Sequence, residues 1–194
     1  MISLPDATIE FFPHFLSETQ ADFLFEVLYN QPTWQQDTIK VFGKTYPQPR
    51  LTALYGNNGL PYSYSNITMY PHPLTPEVEM LMQQIKSVCS AEFTSVLMNL
   101  YRDGSDSNGW HSDDEKALGN QPTIASLSLG GSRMFHLRHK HQKKLRHSIE
   151  LTHGSLLLMS GETQHQWQHQ IPKTKKEVGP RINLTFRKVM EVKK

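Results

Sequence analysis

The segment NGWHSDDEKALG, residues 108–119, sets His111 two positions ahead of Asp113 and follows it with Asp114 and Glu115. In an extended backbone, residues i and i+2 face one side, so this imidazole and this carboxylate can converge on a single ion. Three adjacent acids repel one another, and a surface loop would intersperse lysines, so the cluster calls for positive charge nearby. H-x-D recurs by chance, and its weight comes from two stretches downstream.

The first, QHQWQHQIP at 164–172, offers His165 and His169 as a third ligand, and residue type does not choose between them. Two imidazoles and one carboxylate leave about three positions open on a six-coordinate ion, the ligand set of non-haem Fe(II) oxygenases. Zinc accepts the same ligand types, so the ligands alone do not name the metal. The second stretch, RINLTFR at 181–187, alternates Arg181, Asn183, Thr185 and Arg187 with Ile182, Leu184 and Phe186. A strand inside a domain that turns two arginines, an amide and a hydroxyl to one side needs an anion there, because unpaired buried charge is costly. Guanidinium forks match carboxylates, and a small dicarboxylate would serve both arginines. Roughly 20 Å separates the two backbones in a straight strand, so the side chains must lean inward or the strand must coil.

The elements that hold these residues can be read from periodicity. A helix is expected from about Glu18 to Tyr29, where Ser17 and Gln20 form a capping box and Ala21, Leu24, Phe25 and Leu28 share a face. A second begins after Thr75, with Pro76 in its first turn and an apolar stripe running from Val78 through Ile85 to Val88 and Cys89. Residues 39–70 read as short strands and turns. From Phe93 the period becomes two: Leu97, Asn99 and Tyr101 point one way, and Val96, Met98 and Leu100 the other. TIASLSLGG, RMFHLRH, HSIELTHGSLLLMSG and RINLTFRKV read as further strands. Helices followed by a run of strands predict a mainly β, α+β chain: a sheet-rich barrel or jelly roll with helices on one side.

At 194 residues the chain suits one domain with a core of its own. Its longest apolar run, LLLM at 156–159, cannot span a bilayer, and no membrane association is expected. The first residues lack a basic start and a continuous apolar stretch, so export is not expected. The single cysteine, Cys89, reads as a core thiol in a reducing compartment. Net charge is only +2, but residues 133–147 hold six Arg or Lys, four His and no acid, and Lys173, Lys175 and Lys176 follow. These runs are either solvated loops or footing for a phosphate backbone.

The order H-x-D, fifty-five residues, H, eleven residues, RINLTFR closely resembles the AlkB family of Fe(II)- and 2-oxoglutarate-dependent nucleic-acid dioxygenases. The resemblance runs from about Val41 to the C-terminus and is carried by NLYRDG, HSDDE, HGSLLLMSG and PRINLTFRK. VFGK, PR, YSYS and NLYRDG follow the order of the branch acting on double-stranded DNA. The resemblance implies a double-stranded β-helix core over about 93–190, behind N-terminal helices and a nucleotide-recognition hairpin region over about 1–92. It implies that His111, Asp113 and His169 hold iron, with 2-oxoglutarate and dioxygen as co-substrates. It places Arg181 and Tyr101 at the distal carboxylate of 2-oxoglutarate and Arg187 with Asn183 at the end nearest the metal, with Asn99 and Thr185 completing that site.

The same likeness implies oxidative demethylation of N-alkylated bases such as 1-methyladenine and 3-methylcytosine, with succinate, carbon dioxide and formaldehyde released. A ring-nitrogen methyl group cannot be reached inside a stacked duplex, so the nucleotide must be extruded. Phe42, on a turn permitted by Gly43, would wedge into the vacated stack, and Lys44 would meet a phosphate. Tyr62, Tyr64 and Ser65 match the base pocket, Asp114 would face the flipped base, and Glu115 is expected in solvent. The expected partner is DNA, duplex in preference to single strands, met by a monomer in a bacterial cytoplasm beside the nucleoid, or in the nucleus of a eukaryote. A demethylase of single-stranded DNA or RNA, and a catalytically silent nucleic-acid binder, are the alternatives.

Overall fold

The computed structural model describes residues 1–41, 43–64 and 67–191. In chain order the strands are β1 (Thr8–Phe12), β2 (Thr38–Val41), β3 (Lys44–Pro47), β4 (Leu51–Gly56), β5 (Tyr62–Tyr64), β6 (Ile67–Met69) and β7 (Ser95–Tyr101). They continue as β8 (Asn108–His111), β9 (Ile124–Gly130), β10 (Arg133–His139), β11 (Arg146–Leu151), β12 (Leu156–Ser160), β13 (Trp167–Ile171) and β14 (Arg181–Arg187). The helices are α1 (Glu18–Asn30), α2 (Pro76–Ile85) and a single turn, α3 (Thr163–Gln166).

Two antiparallel sheets face each other as a jelly roll. The larger has the order β1-β12-β9-β14-β7-β4 and the smaller β11-β10-β13-β8. Two hairpins, β2-β3 and β5-β6, stand outside them. The alternation in β14 explains the layering. Ile182, Leu184 and Phe186 pack with Leu24, Leu28 and Leu81 of the helices, while Leu97 and Tyr101 join Phe135, Leu137 and Trp167 between the sheets. Leu184 is wholly buried, and taking such a side chain out of water contributes about 2 kcal/mol. The polar alternates of β14 therefore face inward, between the sheets, in register with Tyr101 and Asn99 of β7.

Helix α1 starts as the sequence predicts, with Ser17 Oγ accepting the Gln20 N–H. α2 starts at Pro76 under a Thr75 cap but ends at Ile85, short of the predicted stripe. The Ser87 and Val88 N–H groups bond to Gln84 and Ile85, three residues back, which tightens and stops the helix. Cys89 is thus half-buried beside the core and not on a helix face. The stretch 147–161 forms two strands in different sheets, separated by a turn at Gly154. β1 was not foreseen: only Ile9 of its five residues is fully buried, and its strand character comes from pairing with β12. Among the described residues, no helix is long and apolar enough to cross a membrane.

The turn after β9 is tightly constrained where it passes under α1. Gly130 has φ +83°, and a Cβ there would meet the Pro180 carbonyl and the Phe25 ring. Gly130→Ala is expected to cost about 2–3 kcal/mol, read as a lowered urea midpoint with an unchanged slope.

Candidate active site

The ligand atoms of His111, Asp113 and His169 all lie within 4.8 Å of one another, and among the described residues no other His, Cys, Asp or Glu group forms such a cluster. β13 and β8 are paired with His169 opposite His111, which brings the two rings to 4.2 Å between centroids. The His111 Nδ1 lies 2.7 Å from the Gly109 carbonyl. A carbonyl only accepts, so Nδ1 carries the hydrogen and Nε2 keeps its lone pair for a metal. The His169 ring stacks on Phe135 at 5.1 Å. His165 lies in the α3 turn, where its Nε2 meets Asn120 and the Gln121 N–H, well apart from this cluster in its contacts. The helical turn that carries His165, ending where β13 begins, thus decides a choice that residue type left open.

Each acid of the HSDDE run has a different partner. Asp113 is 3% exposed and accepts from Arg187 Nη2 at 2.9 Å through Oδ2, while its Oδ1 lies 3.9 Å from His111 Nε2. Its backbone N–H donates to Gln164 Oε1, so this fully buried glutamine fixes the loop that presents the carboxylate. Asp114 points outward, 44% exposed, and pairs with Lys140 Nζ at 3.0 Å. Asp114 is not among the residues that line the cavity between the sheets. Glu115, expected in solvent, does line it, beside Tyr62. β8 ends at His111, so the strict two-residue alternation no longer applies beyond the metal ligand. Gln164 and Glu115 are the site residues the sequence did not single out; nothing in the local pattern marks Gln164, and only the break in strand geometry could have marked Glu115.

The cluster opens into a cavity of about 300 Å³ between the sheets. Asn99, Tyr101, Arg181, Asn183, Thr185 and Arg187 all line it, as their shared strand faces require. Asn183 donates to Ser126 Oγ and the Leu127 carbonyl and accepts from Thr185, and Asn99 accepts from Arg50 Nε at 2.8 Å. The two arginines are buried and incompletely satisfied. Arg181 gives one amino group to Ser128 Oγ and its guanidinium lies over the Tyr101 ring, yet its Nε and Nη1 have no hydrogen-bond partner; nor do Nε and Nη1 of Arg187. Buried guanidinium donors aimed at a cavity next to a metal-ligand cluster fit a carboxylate-bearing co-substrate at each end.

Charge in the site follows from burial and these pairs. Burial, the largest single influence, works to raise the Asp113 carboxyl, but Arg187, His169 and His111 together outweigh it and leave it at about 2. Burial, then His111, holds His169 down at about 3, and burial lowers His111. Burial lowers Arg181 to about 10. Burial followed by Asp113 raises Glu115, and burial raises Tyr62 well above its ordinary range. At neutral pH the cluster is two neutral imidazoles and one carboxylate, the protonation state a divalent ion requires.

The substrate-side residues are placed in part. Gly43, at φ +79°, makes the tip of the β2-β3 hairpin with open space around it, and Lys44 is exposed. Phe42 and Ser65 lie outside the described residues, as does the Tyr64 side chain. Tyr62 is 1% exposed, lines the cavity and carries the Arg187 guanidinium over its ring at 5.1 Å.

Two outcomes follow for the metal-free protein. Asp113→Ala strands a buried Arg187 and is expected to lose about 3–5 kcal/mol of stability together with metal binding; His111→Ala, whose side chain is a third open, loses the metal with a far smaller drop. Chelated samples compared by urea titration and metal analysis distinguish the two. Lowering the pH takes an unfolded imidazole through its pKa near 6.5, while His169 in the fold stays neutral to about 3. The unfolded chain then binds more protons, so stability should fall from pH 7 to 5, and Asp113 adds a further loss of the same sign below about pH 4. A melting temperature flat from pH 7 to 5 would contradict the neutral, buried His169.

Comparison with known proteins gives the same reading. The 2OG-Fe(II) oxygenase superfamily matches residues 8–187. The alpha-ketoglutarate-dependent dioxygenase alkB homolog 3 of Bos taurus is 48% identical over 186 residues, 91% of this chain and 64% of that protein, so the chain spans somewhat under two thirds of that relative. The DNA oxidative demethylase ALKBH2 of Mus musculus is 39% identical over 187 residues, 91% of this chain and 78% of its own length. The solved structure of OsALKBH1 superposes with a TM-score of 0.70 at 16% identity, covering 97% of this chain and all of that one, which shows the shared fold. With its His111, Asp113 and His169 triad fitted to Fe(II) and its cavity to 2-oxoglutarate, the chain belongs to the 2OG-Fe(II) oxygenase superfamily and, within it, to the AlkB homologues.

Proposed function

We propose that the protein oxidatively demethylates N-alkylated bases in DNA, with duplex preferred. The observation that carries the reading is one cavity in which a two-histidine, one-carboxylate cluster, two arginines with unpaired donors, and the Tyr62 and Glu115 pair share the same walls. Held by His111, Asp113 and His169, Fe(II) would let dioxygen act as the oxidant: one oxygen atom would go to 2-oxoglutarate, which becomes succinate and carbon dioxide, and the other to an N-methyl carbon, whose carbinolamine collapses to formaldehyde and the repaired base. The chain's own residues do the placing. Arg181 and Tyr101 receive the distal carboxylate of the keto-diacid, and Arg187 and Asn183 lie at its metal end, with Asn99 and Thr185 along the wall. Arg187 also holds Asp113 ionised and fixed.

At the substrate side, Glu115 and Tyr62 line the cavity where a flipped base enters. With its pKa raised by burial, the Glu115 carboxyl is poised to exchange hydrogen bonds with an exocyclic amine or to face a cationic methylated ring. Base extrusion is assigned to the β2-β3 hairpin, where Gly43 has open space around it and Lys44 is exposed, with Phe42 the residue before them in sequence. Lys173, Lys175 and Lys176 are exposed on the loop after β13, as are Lys143 and Lys144 on the β10-β11 turn and Arg146 at the start of β11; these supply the phosphate contacts. Affinity for DNA should therefore fall steeply with salt.

Formaldehyde release from a duplex bearing 1-methyladenine, with iron and 2-oxoglutarate omitted in turn, tests the reaction. Loss of release in each omission is expected, and matched single-stranded and RNA oligonucleotides should turn over more slowly. Phe42→Ala should erase the duplex preference while single-strand turnover persists. Glu115→Gln should reduce turnover at least tenfold, in the manner of a lost contact to a charged group, whereas Asp114→Asn should change it little. The reverse order for the two acids would return the base-facing role to Asp114.

A further inference from the structure

Arg133 is a cation that the site does not directly use. It opens β10, is 4% exposed, and does not line the cavity. Its guanidinium meets three carbonyls: Nη1 donates to Asp103 at 3.1 Å, and Nη2 donates to Asp106 at 2.8 Å and Pro172 at 2.6 Å. The neighbouring carboxylates are otherwise engaged. Asp106 is held by Arg102 through two side-chain bonds, and Asp103 accepts from Ser105. The Arg133 guanidinium carbon lies 5.6 Å from the Tyr101 ring centre, and that of Arg181 lies 5.2 Å from the same ring.

The three carbonyls belong to two segments that end at opposite interests of the protein. Asp103 and Asp106 lie on the loop that leaves β7 immediately after Tyr101. Pro172 follows β13, three residues after His169, and begins the loop bearing Lys173, Lys175 and Lys176. The loops touch again beyond the guanidinium: the Thr174 N–H donates to the Gly104 carbonyl at 2.8 Å, and a Cβ on Gly104 would lie 2.5 Å from the Thr174 carbonyl. A planar fork with several fixed donors can hold three carbonyls at once, whereas an ammonium has no such geometry. A buried guanidinium paired only with carbonyls is expensive to keep unless it fixes something.

We propose that Arg133 is a positioning residue that couples the 2-oxoglutarate end of the cavity to the lysine-bearing loop, so that filling the one steadies the other. The proposal rests on the reading that Tyr101 and Arg181 receive the distal carboxylate. The Arg133 guanidinium lies over the Tyr101 ring, and the same guanidinium anchors the first residue of the loop that meets the phosphates. Loss of the fork frees both.

The test uses the full chain with Mn(II) in place of iron, calorimetric titration of 2-oxoglutarate, and the rate of tryptic cleavage after Lys173, Lys175 and Lys176 with and without 2-oxoglutarate. In the unaltered protein, 2-oxoglutarate should slow cleavage at these three sites. In Arg133→Met the dissociation constant should rise about tenfold, as expected when buried hydrogen-bond partners are orphaned, and cleavage should become fast and insensitive to 2-oxoglutarate. Arg133→Lys should behave as Arg133→Met, because charge without the fork does not rescue. Gly104→Ala reaches the junction from its outer end, leaves Arg133 in place, and should speed cleavage and weaken 2-oxoglutarate binding together. An unchanged dissociation constant in Arg133→Met, full rescue by lysine, or a Gly104→Ala protein with a loosened loop and unaltered binding each overturns the coupling. Failure of the unaltered protein to bind 2-oxoglutarate overturns the functional reading along with it. Intact binding and loop protection without formaldehyde release leaves the coupling standing and removes only the demethylation.

Discussion

The Asp113 to Arg187 ion pair is the interaction on which the site depends. Neither partner is tolerable alone, since each is buried between the sheets and a stranded charge there costs several kcal/mol. Joined, they place a metal ligand from the loop after β8 against the last residue of β14, and so tie the smaller sheet to the larger across the cavity. The pair also sets the protonation of Asp113 itself. It keeps the carboxylate ionised, and burial keeps the two imidazoles neutral, so the three ligands are ready for a divalent ion without rearrangement.

The scaffold around this pair was legible where a single periodicity governed a whole element. β14 was readable because its seven residues alternate without exception, and its neighbour β7 because Asn99 and Tyr101 keep the same phase. The starts of α1 and α2 were readable from Ser17 and from Thr75 with Pro76, since caps are local chemistry. The end of α2 was not, because the apolar stripe continues through Val88 and Cys89 after the backbone has already tightened into a turn. β1 was invisible for a different reason: an edge strand with one buried side chain is defined by its partner.

The site was legible in its chemistry and less so in its details. The ligand types and the arginine face named an oxidative metal centre with a dicarboxylate beside it. The residue types left His165 and His169 open and only the family resemblance chose His169, because no propensity in QHQWQHQIP signals the α3 turn that carries His165 away. The placement of Glu115 in the cavity wall and of Asp114 beside Lys140 was not legible, because β8 ends at His111 and alternation cannot be carried past it. Gln164, which holds the Asp113 backbone, leaves no trace in sequence because its importance lies in a contact across fifty-one positions.

The two-sided character of β14 also restricts how such a chain can change in length. Its neighbours β7 and β9 pair with it residue for residue, so an insertion or deletion of one position within the strand would turn every later side chain to the opposite layer. Guanidinium groups would enter the greasy layer beneath the helices, and phenylalanine and leucine would face the co-substrate. Indels that such a protein survives must therefore fall in its connecting loops, such as the β2-β3 turn, where Gly43 has open space around it, so that the oxidising centre stays fixed.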